Sequence, residues 1–465
     1  MATPLLWLTL FFCASLSSFA ASAAGLRLEL THVDAKGNFT AEERLRRATE
    51  RTHRRLASMG MGVGVAAPVR WSETQYLAAY RIGDPPQRAE AAVDTGSNLI
   101  WTQCADCRLI PGGMCFPQDL PYYNSSRSRT ARPVPCSSAA CAAGAETRPC
   151  ARGRGGEEEV VCAVAAGYGA GSVVGVLGTE AFAFASGTTA RLAFGCVLAS
   201  ELTPGSLDGA SGIIGLGRGA LSLVSQLGDG GGANKFSYCL TPYLRGAAAK
   251  PSQLFVGASA GGGLNGGAPV TSVPFAENPE EYPFSSFYYL PLTGITVGKT
   301  KLAVAASAFA RRRVAAGMWA GGVVIDSGSP FTTLVDVAYR ALRAELVRQL
   351  GGTLVRPPRR TGGGFDLCVA RGDADAGEVV VPPLVLHFGG GGGGGDLVVP
   401  PENYWGPVDA DTECMVVFNS AAGPGGSLPF NETTIIGNYM QQDVHLLYDL
   451  ANGVLSFQTA DCSSM

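Results

Sequence analysis

Two short apolar runs in this chain break in the same way. Ala91-Ala92-Val93 and Val323-Val324-Ile325 read as buried strands, and each runs into a tight turn, Asp94-Thr95-Gly96-Ser97 and Asp326-Ser327-Gly328-Ser329. A second pair follows: Ile213-Ile214-Gly215 ends 121 residues after Asp94, and Ile435-Ile436-Gly437 ends 111 residues after Asp326. That self-similarity predicts one folding unit used twice, with loops of different length. Alternating sequence from Tyr76, and the segments Phe236–Leu240 and Val444–Tyr448, read as strands, while Leu221–Leu227 and Ala338–Leu342 read as helices. Tyr168-Gly169-Ala170-Gly171-Ser172 reads as a glycine-rich hairpin tip, and Gly389 to Gly395 as another. Between Glu42 and Leu56, Leu45, Ala48, Thr52 and Leu56 share one side of a charged helix.

Composition extends this picture. The chain has 465 residues, enough for two lobes with real cores, and its 63 glycines and 28 prolines favour short strands and turns over long helices. Leu5 to Phe12 is apolar but too short to cross a membrane, and Ala21-Ser22-Ala23 offers a cleavage site. Residues 1–23 therefore read as a secretory signal, although no Lys or Arg precedes the apolar core. No other stretch would span a bilayer. Residues 1–70 carry nine Lys/Arg and five Asp/Glu, so the remainder of a chain of net charge −3 is at −7. That asymmetry predicts a basic prosegment, residues 24–70, docked on an acidic body, and it argues against nucleic acid as a partner.

Thirteen cysteines become twelve once Cys13 leaves with the signal, an even number suited to disulfides outside the cytosol. Cys104-x-x-Cys107 has the spacing of a zinc knuckle or redox pair, but a secreted, cysteine-dense chain favours disulfides. Seven cysteines lie between Cys104 and Cys162 (Cys104, Cys107, Cys115, Cys136, Cys141, Cys150 and Cys162) in sequence with little periodicity, which predicts a surface insertion. Seven is odd, so at least one must pair outside, and Cys196 is the candidate. Asn124-Ser125-Ser126 and Asn431-Glu432-Thr433 are glycosylation acceptors, with Asn38-Phe39-Thr40 a third in the prosegment.

The candidate chemistry lies in the two Asp turns. One Asp-x-Gly-Ser turn is ordinary turn composition. Two of them in related units suggest carboxylates that meet at an interface, share a proton and act as acid and base on a water molecule. Beyond residue 70 the only histidines are His387 and His445, and no His-Glu-x-x-His motif occurs, so nucleophilic or zinc hydrolysis is poorly supported. Gly212 to Gly219 has a nucleotide-loop pattern without the strand–helix context that such a loop needs.

Taken together, these motifs resemble the pepsin-like aspartic proteases, and more narrowly the plant nepenthesin-like group; the resemblance covers nearly the whole chain. It implies a mainly β, two-lobed fold with the active site between the lobes. The N-terminal lobe would span 71–260, with a Cys-rich insertion at 104–162, and the C-terminal lobe 283–465, with residues 246–284 between them. It implies that Asp94 and Asp326 hold and activate the water. Ser97 and Ser329 would bond their outer oxygens, Thr95 and Ser327 would stitch the turns together, and Gly96 and Gly328 would complete those turns. Tyr168 and Gly169 would form the flap, with Trp101 bracing the tyrosine, although Trp101 reads equally well as core. Ala170 stands where this group usually carries an Asp. Cys239–Cys462 and Cys368–Cys414 are the implied disulfides. The implied activity is that of a secreted, monomeric endopeptidase acting on proteins or peptides at acid pH. It would need no cofactor or metal, have its own prosegment as inhibitor and no membrane partner, and be addressed to the apoplast or the vacuole. The rival is a non-catalytic binder on the same fold, as in plant xylanase inhibitors. Such relatives tend to lose part of the Asp motifs or the flap, and here both are present.

Overall fold

Period-two alternation builds the backbone of the molecule. In Leu26–His32 every second side chain is buried, and Tyr76–Ile82 alternates over most of its length. The computed structural model describes residues 25–58, 76–152, 160–185, 187–228, 234–245, 250–261, 268–358, 364–371, 379–390, 394–422 and 429–465. The expected signal peptide and the residues following the N-terminal helix lie outside these. Among the described residues, one sheet of 15 strands runs through the chain. Its middle is Lys235–Cys239, Ser252–Val256, Leu26–His32, Tyr76–Ile82 and Gln87–Asp94, side by side in that order. The C-terminal strands Val444–Asp449 and Val454–Thr459 continue it on one side, pairing with Lys235–Cys239. One sheet thus takes strands from both ends of the chain, and the Cys239–Cys462 disulfide fastens them together.

The sequence-predicted repeat is visible as two equivalent crossings. Gln87–Asp94 runs parallel to Gly212–Gly215, with Gly215 opposite Asp94. In the second lobe Val323–Ile325 runs parallel to Thr434–Ile436. Where they pair, Ala91–Asp94 with Gly212–Gly215 and Val323–Ile325 with Thr434–Ile436, the strands are buried, and so Ala91–Val93 and Val323–Ile325 read as unbroken apolar runs. The helices form where periodicity placed them, with shifted bounds: Leu223–Gly228, and Asp336–Leu350, which buries Ala338, Leu342 and Leu346. The glycine tract joins Leu384–Phe388 to Gly395–Val399 in a hairpin; residues 391–393 lie outside the described set.

Two expectations change. Leu26–His32, expected only as part of a basic segment docked by charge, is a central strand, with Leu26, Leu28 and Leu30 buried between the strands Tyr76–Ile82 and Ser252–Val256. The cysteine-rich segment is not merely superficial. Its strand Thr147–Arg152 pairs with the hairpin strand Val160–Tyr168, and Cys104, Tyr123, Val134 and Glu146 are buried. It looked irregular because disulfides Cys107–Cys115 and Cys141–Cys162 supply order that periodicity does not. Cys104 pairs outside the segment with Cys196, and Cys368 pairs with Cys414.

Candidate active site

Each Asp turn is wired identically. Gly96 N–H donates to Asp94 Oδ1 at 2.9 Å, and the Ser97 hydroxyl donates to Asp94 Oδ2. Gly328 N–H donates to Asp326 Oδ1 at 2.9 Å, and the Ser329 hydroxyl donates to Asp326 Oδ2. Both carboxyl groups are fully buried. The turns are then tied across the lobes. Thr95 N–H donates to Ser327 Oγ at 3.1 Å and Ser327 N–H to Thr95 Oγ1 at 2.9 Å, while Ser327 Oγ donates to the Val93 carbonyl at 3.2 Å. Each glycine faces the opposite carboxylate. A Cβ built on Gly328 would lie 2.2 Å from Asp94 Oδ1 and 3.1 Å from Asp326 Oδ1; one on Gly96 would lie 2.9 Å from Asp326 Oδ1. Both inner oxygens therefore flank one point.

The Tyr168 hairpin consists of Val160–Tyr168 and Gly171–Phe184, with Gly169 and Ala170 at its tip. Gly171 has φ +133°, and a Cβ there would lie 1.8 Å from the Glu201 carbonyl oxygen, so the tip requires glycine. The Ala170 carbonyl accepts from Thr203 N–H at 2.7 Å and Thr203 Oγ1 at 3.0 Å, and these bonds hold the turn. Trp101 Nε1–H donates to Tyr168 Oη at 2.6 Å; both rings are buried in one apolar cluster with Leu99 and Ile213. In the second lobe a small hollow lined by Phe284, Phe287, Tyr289, Phe430 and Ile435 lies beside Asp326. Among the described residues no group of three His, Cys, Asp or Glu side chains converges as metal ligands. His387 instead bonds Asp396 and Thr296, each at 2.7 Å. Asn124 Oδ1 caps a turn through Ser126 N–H at 3.0 Å, and Asn431 is half-buried.

Sequence reasoning missed the group behind the first turn. Asn98, Glu146 and Ser286 meet there, and Gly215, Gly217 and Gly219 pack against it, while Gly212 packs against the Trp101 backbone. A Cβ on Gly217 would lie 2.5 Å from Asn98 Oδ1, and one on Gly219 2.4 Å from Asn98 Nδ2. The pattern set aside as a nucleotide loop is thus a packing surface for Asn98.

A family model described as "Xylanase inhibitor N-terminal" matches residues 76–258, and one described as "Xylanase inhibitor C-terminal" matches residues 287–459. The chain is 35% identical to aspartic proteinase nepenthesin-1 of Nepenthes gracilis, covering 96% of this chain and 92% of that protein. It is 33% identical to nepenthesin-2 of the same plant, covering 95% and 91%, and 32% identical to aspartyl protease family protein 2 of Arabidopsis thaliana, covering 95% and 86%. Among solved structures, basic 7S globulin from soybean aligns with a TM-score of 0.61 at 18% identity, covering 84% of this chain and 92% of that one. Conglutin gamma from lupine seeds gives 0.61 at 17% identity, covering 85% and 96%. At such identity these structures speak to the fold alone.

Proposed function

Because this chain belongs to the nepenthesin-like plant aspartic proteinases and is an aspartic-type endopeptidase, we propose that Asp94 and Asp326 are its acid–base pair and that it works at acid pH after secretion. The observation that carries this reading is the reciprocal wiring of the two turns, in which each glycine of one lobe faces the carboxylate of the other. Two carboxylates around one point share a proton. The ionised member takes a proton from a water molecule as its oxygen attacks the peptide carbonyl carbon. The protonated member gives its proton to the carbonyl oxygen, forming a gem-diol. The member now protonated gives its proton to the amide nitrogen, the member now ionised takes one from a diol hydroxyl, and the C–N bond breaks to release an acid and an amine. Ser97, Ser329 and the Gly96 and Gly328 N–H groups hold both carboxyl groups in place without reorganising. Tyr168, braced by Trp101, closes over substrate.

Residues 24–70 act as a prosegment. The strand Leu26–His32 completes the central sheet, and Leu45 of the helix Ala41–Ser58 packs against Gly406. The seed globulins and the xylanase-inhibitor descriptions share the architecture, which by itself does not assign chemistry. The test is proteolysis of a denatured protein at acid pH, with and without pepstatin. Asp94→Asn and Asp326→Asn should each retain under about one per cent of activity, since losing a general acid or base costs on the order of 10²–10⁴-fold. Higher residual activity in either folded variant refutes the assignment.

A further inference from the structure

The two Asp turns are alike through their serines and differ at the next residue. In the second lobe that residue is Pro330, whose ring fixes its φ. In the first it is Asn98, fully buried, whose side chain does the holding. Asn98 Oδ1 accepts from Gly219 N–H at 2.8 Å, while its amide NH₂ donates to Ser286 Oγ at 2.8 Å and to Glu146 Oε1 at 3.0 Å. The Ser97 carbonyl next to it accepts from Gly217 N–H at 2.7 Å. Glu146 and Ser286 are each about 1% exposed.

Glu146 belongs to the disulfide-held insertion. Its carbonyl accepts from Ala165 N–H of the Tyr168 hairpin at 2.9 Å, between Cys141 and Cys162, which are bonded to one another. Ser286 belongs to the segment that leads into the second lobe, and its carbonyl accepts from Arg218 N–H at 3.1 Å. One amide therefore joins the first Asp turn, the glycine loop behind it, the insertion and the inter-lobe segment. A buried carboxylate oxygen facing an amide NH₂ fixes which way that amide points, and so which of its ends meets Gly219.

We propose that Glu146 is a positioning residue for the peptidase reaction. By orienting Asn98 it locks the Asp94–Ser97 turn in its reacting geometry, so the cysteine-rich insertion is a brace for the active site and not only a surface elaboration. This rests on the reading of Asp94 as half of the acid–base pair. Glu146 touches no reacting atom. Its removal should act on kcat, through a displaced turn, and leave KM within about twofold, because small misplacements of catalytic groups cost rate steeply.

The test compares full-length parent, Glu146→Ala, Glu146→Gln and Ser286→Ala by hydrogen exchange and by steady-state kinetics. Glu146→Ala leaves an amide N–H without a partner. Exchange across residues 97–100 and 217–219 should quicken about tenfold, and kcat should fall about tenfold. Glu146→Gln keeps an acceptor oxygen and should restore both. Ser286→Ala, a small deletion expected to fold, should quicken exchange at the same amides. Unchanged exchange in Ser286→Ala, or a Gln variant as impaired as the Ala variant, overturns the proposal. Should the parent show no proteolysis, the acid–base reading of Asp94 and Asp326 fails, while the exchange comparison still decides the role of Glu146.

Discussion

His445 makes a testable liability of the central sheet. It lies on Val444–Asp449, opposite Cys239 on one side and Gln458 on the other, and is fully buried. Among the described residues neither ring nitrogen has a hydrogen-bond partner. Burial therefore disfavours the charged ring and pushes its pKa down to about 4. The sign follows directly. The fold prefers the neutral imidazole, so the stability this preference contributes is present above the unfolded value near 6.5. It is lost as pH falls from there toward 4. A drop from about 6.5 to about 4 corresponds to about 3 kcal/mol, nearly all of it gone by pH 4.

His445→Met removes the titrating group at similar volume, and also removes a buried N–H with no acceptor. Urea midpoints would be compared for the two proteins from pH 7 to pH 4, both carrying Asp326→Asn to suppress self-digestion. The parent should lose stability relative to the Met variant across that window, and the Met variant should be at least as stable at pH 7. Midpoints that fall in parallel would refute the reasoning, because carboxylates common to both proteins cancel in the difference. Such a result would mean that the imidazolium finds an acceptor in the folded protein.

Three further outcomes are expected. Gly328→Ala should cut kcat/KM by about 100-fold or more, since the new methyl would lie 2.2 Å from Asp94 Oδ1 and must displace it; activity within tenfold of the parent would show that the turns can separate harmlessly. Tyr168→Ala should lower kcat/KM on several peptides without moving the acid limb of the pH profile, because the phenol does not titrate there; a variant equal to the parent removes Tyr168 from substrate closure. Glu42→Gln should raise the pH at which the precursor first becomes active, because it severs the 3.1 Å bridge to Arg371; an unchanged activation pH discards that bridge as a latch.

The legible parts of this molecule were those whose signal is local. An apolar run ending in Asp-x-Gly-Ser needs no distant partner to be recognised, and its second copy supplied the two-fold plan. Trp101 and Tyr168 were legible as a motif, although their hydrogen bond spans 67 residues. Asn98 was not, because an Asn after a turn serine looks like turn composition until Glu146, 48 residues on, and Ser286 are brought against it. The glycines from 212 to 219 were noticed for the wrong chemistry. Their spacing records how closely the backbone must approach Asn98 and Trp101. Leu26-Arg27-Leu28-Glu29-Leu30 alternates strictly and was readable as a strand, but the charge of the region drew attention to the helix after it. The Cys239–Cys462 bridge came from family resemblance, since cysteine count alone leaves many pairings open.

In the expected prosegment basic side chains do meet the acidic body, Lys36 at Glu90 and Asp119 and Arg47 at Asp208, but charge is not the whole of its hold. A segment at +4 on a body at −7 invites docking by general attraction. Yet buried Arg44 donates to the Phe39 and Tyr243 carbonyls, at 3.0 and 2.7 Å, and Arg47 spends one of its two pairings on Asp34 of its own segment. The firm hold is the strand Leu26–His32, whose loss would leave two neighbouring strands with unpaired backbone groups. On the helix one bridge has the opposite polarity, with the acid Glu42 on the segment and the base Arg371 on the body. Partial burial tends to raise the Glu42 carboxyl, but its own backbone N–H, Thr40 and Arg371 outweigh that and hold it below the usual range. Its contribution to docking is therefore present above the ordinary Glu range and is lost as pH falls through that range. In the proposed activation the helix loosens first, while the strand stays in the sheet until the chain beyond it is cut.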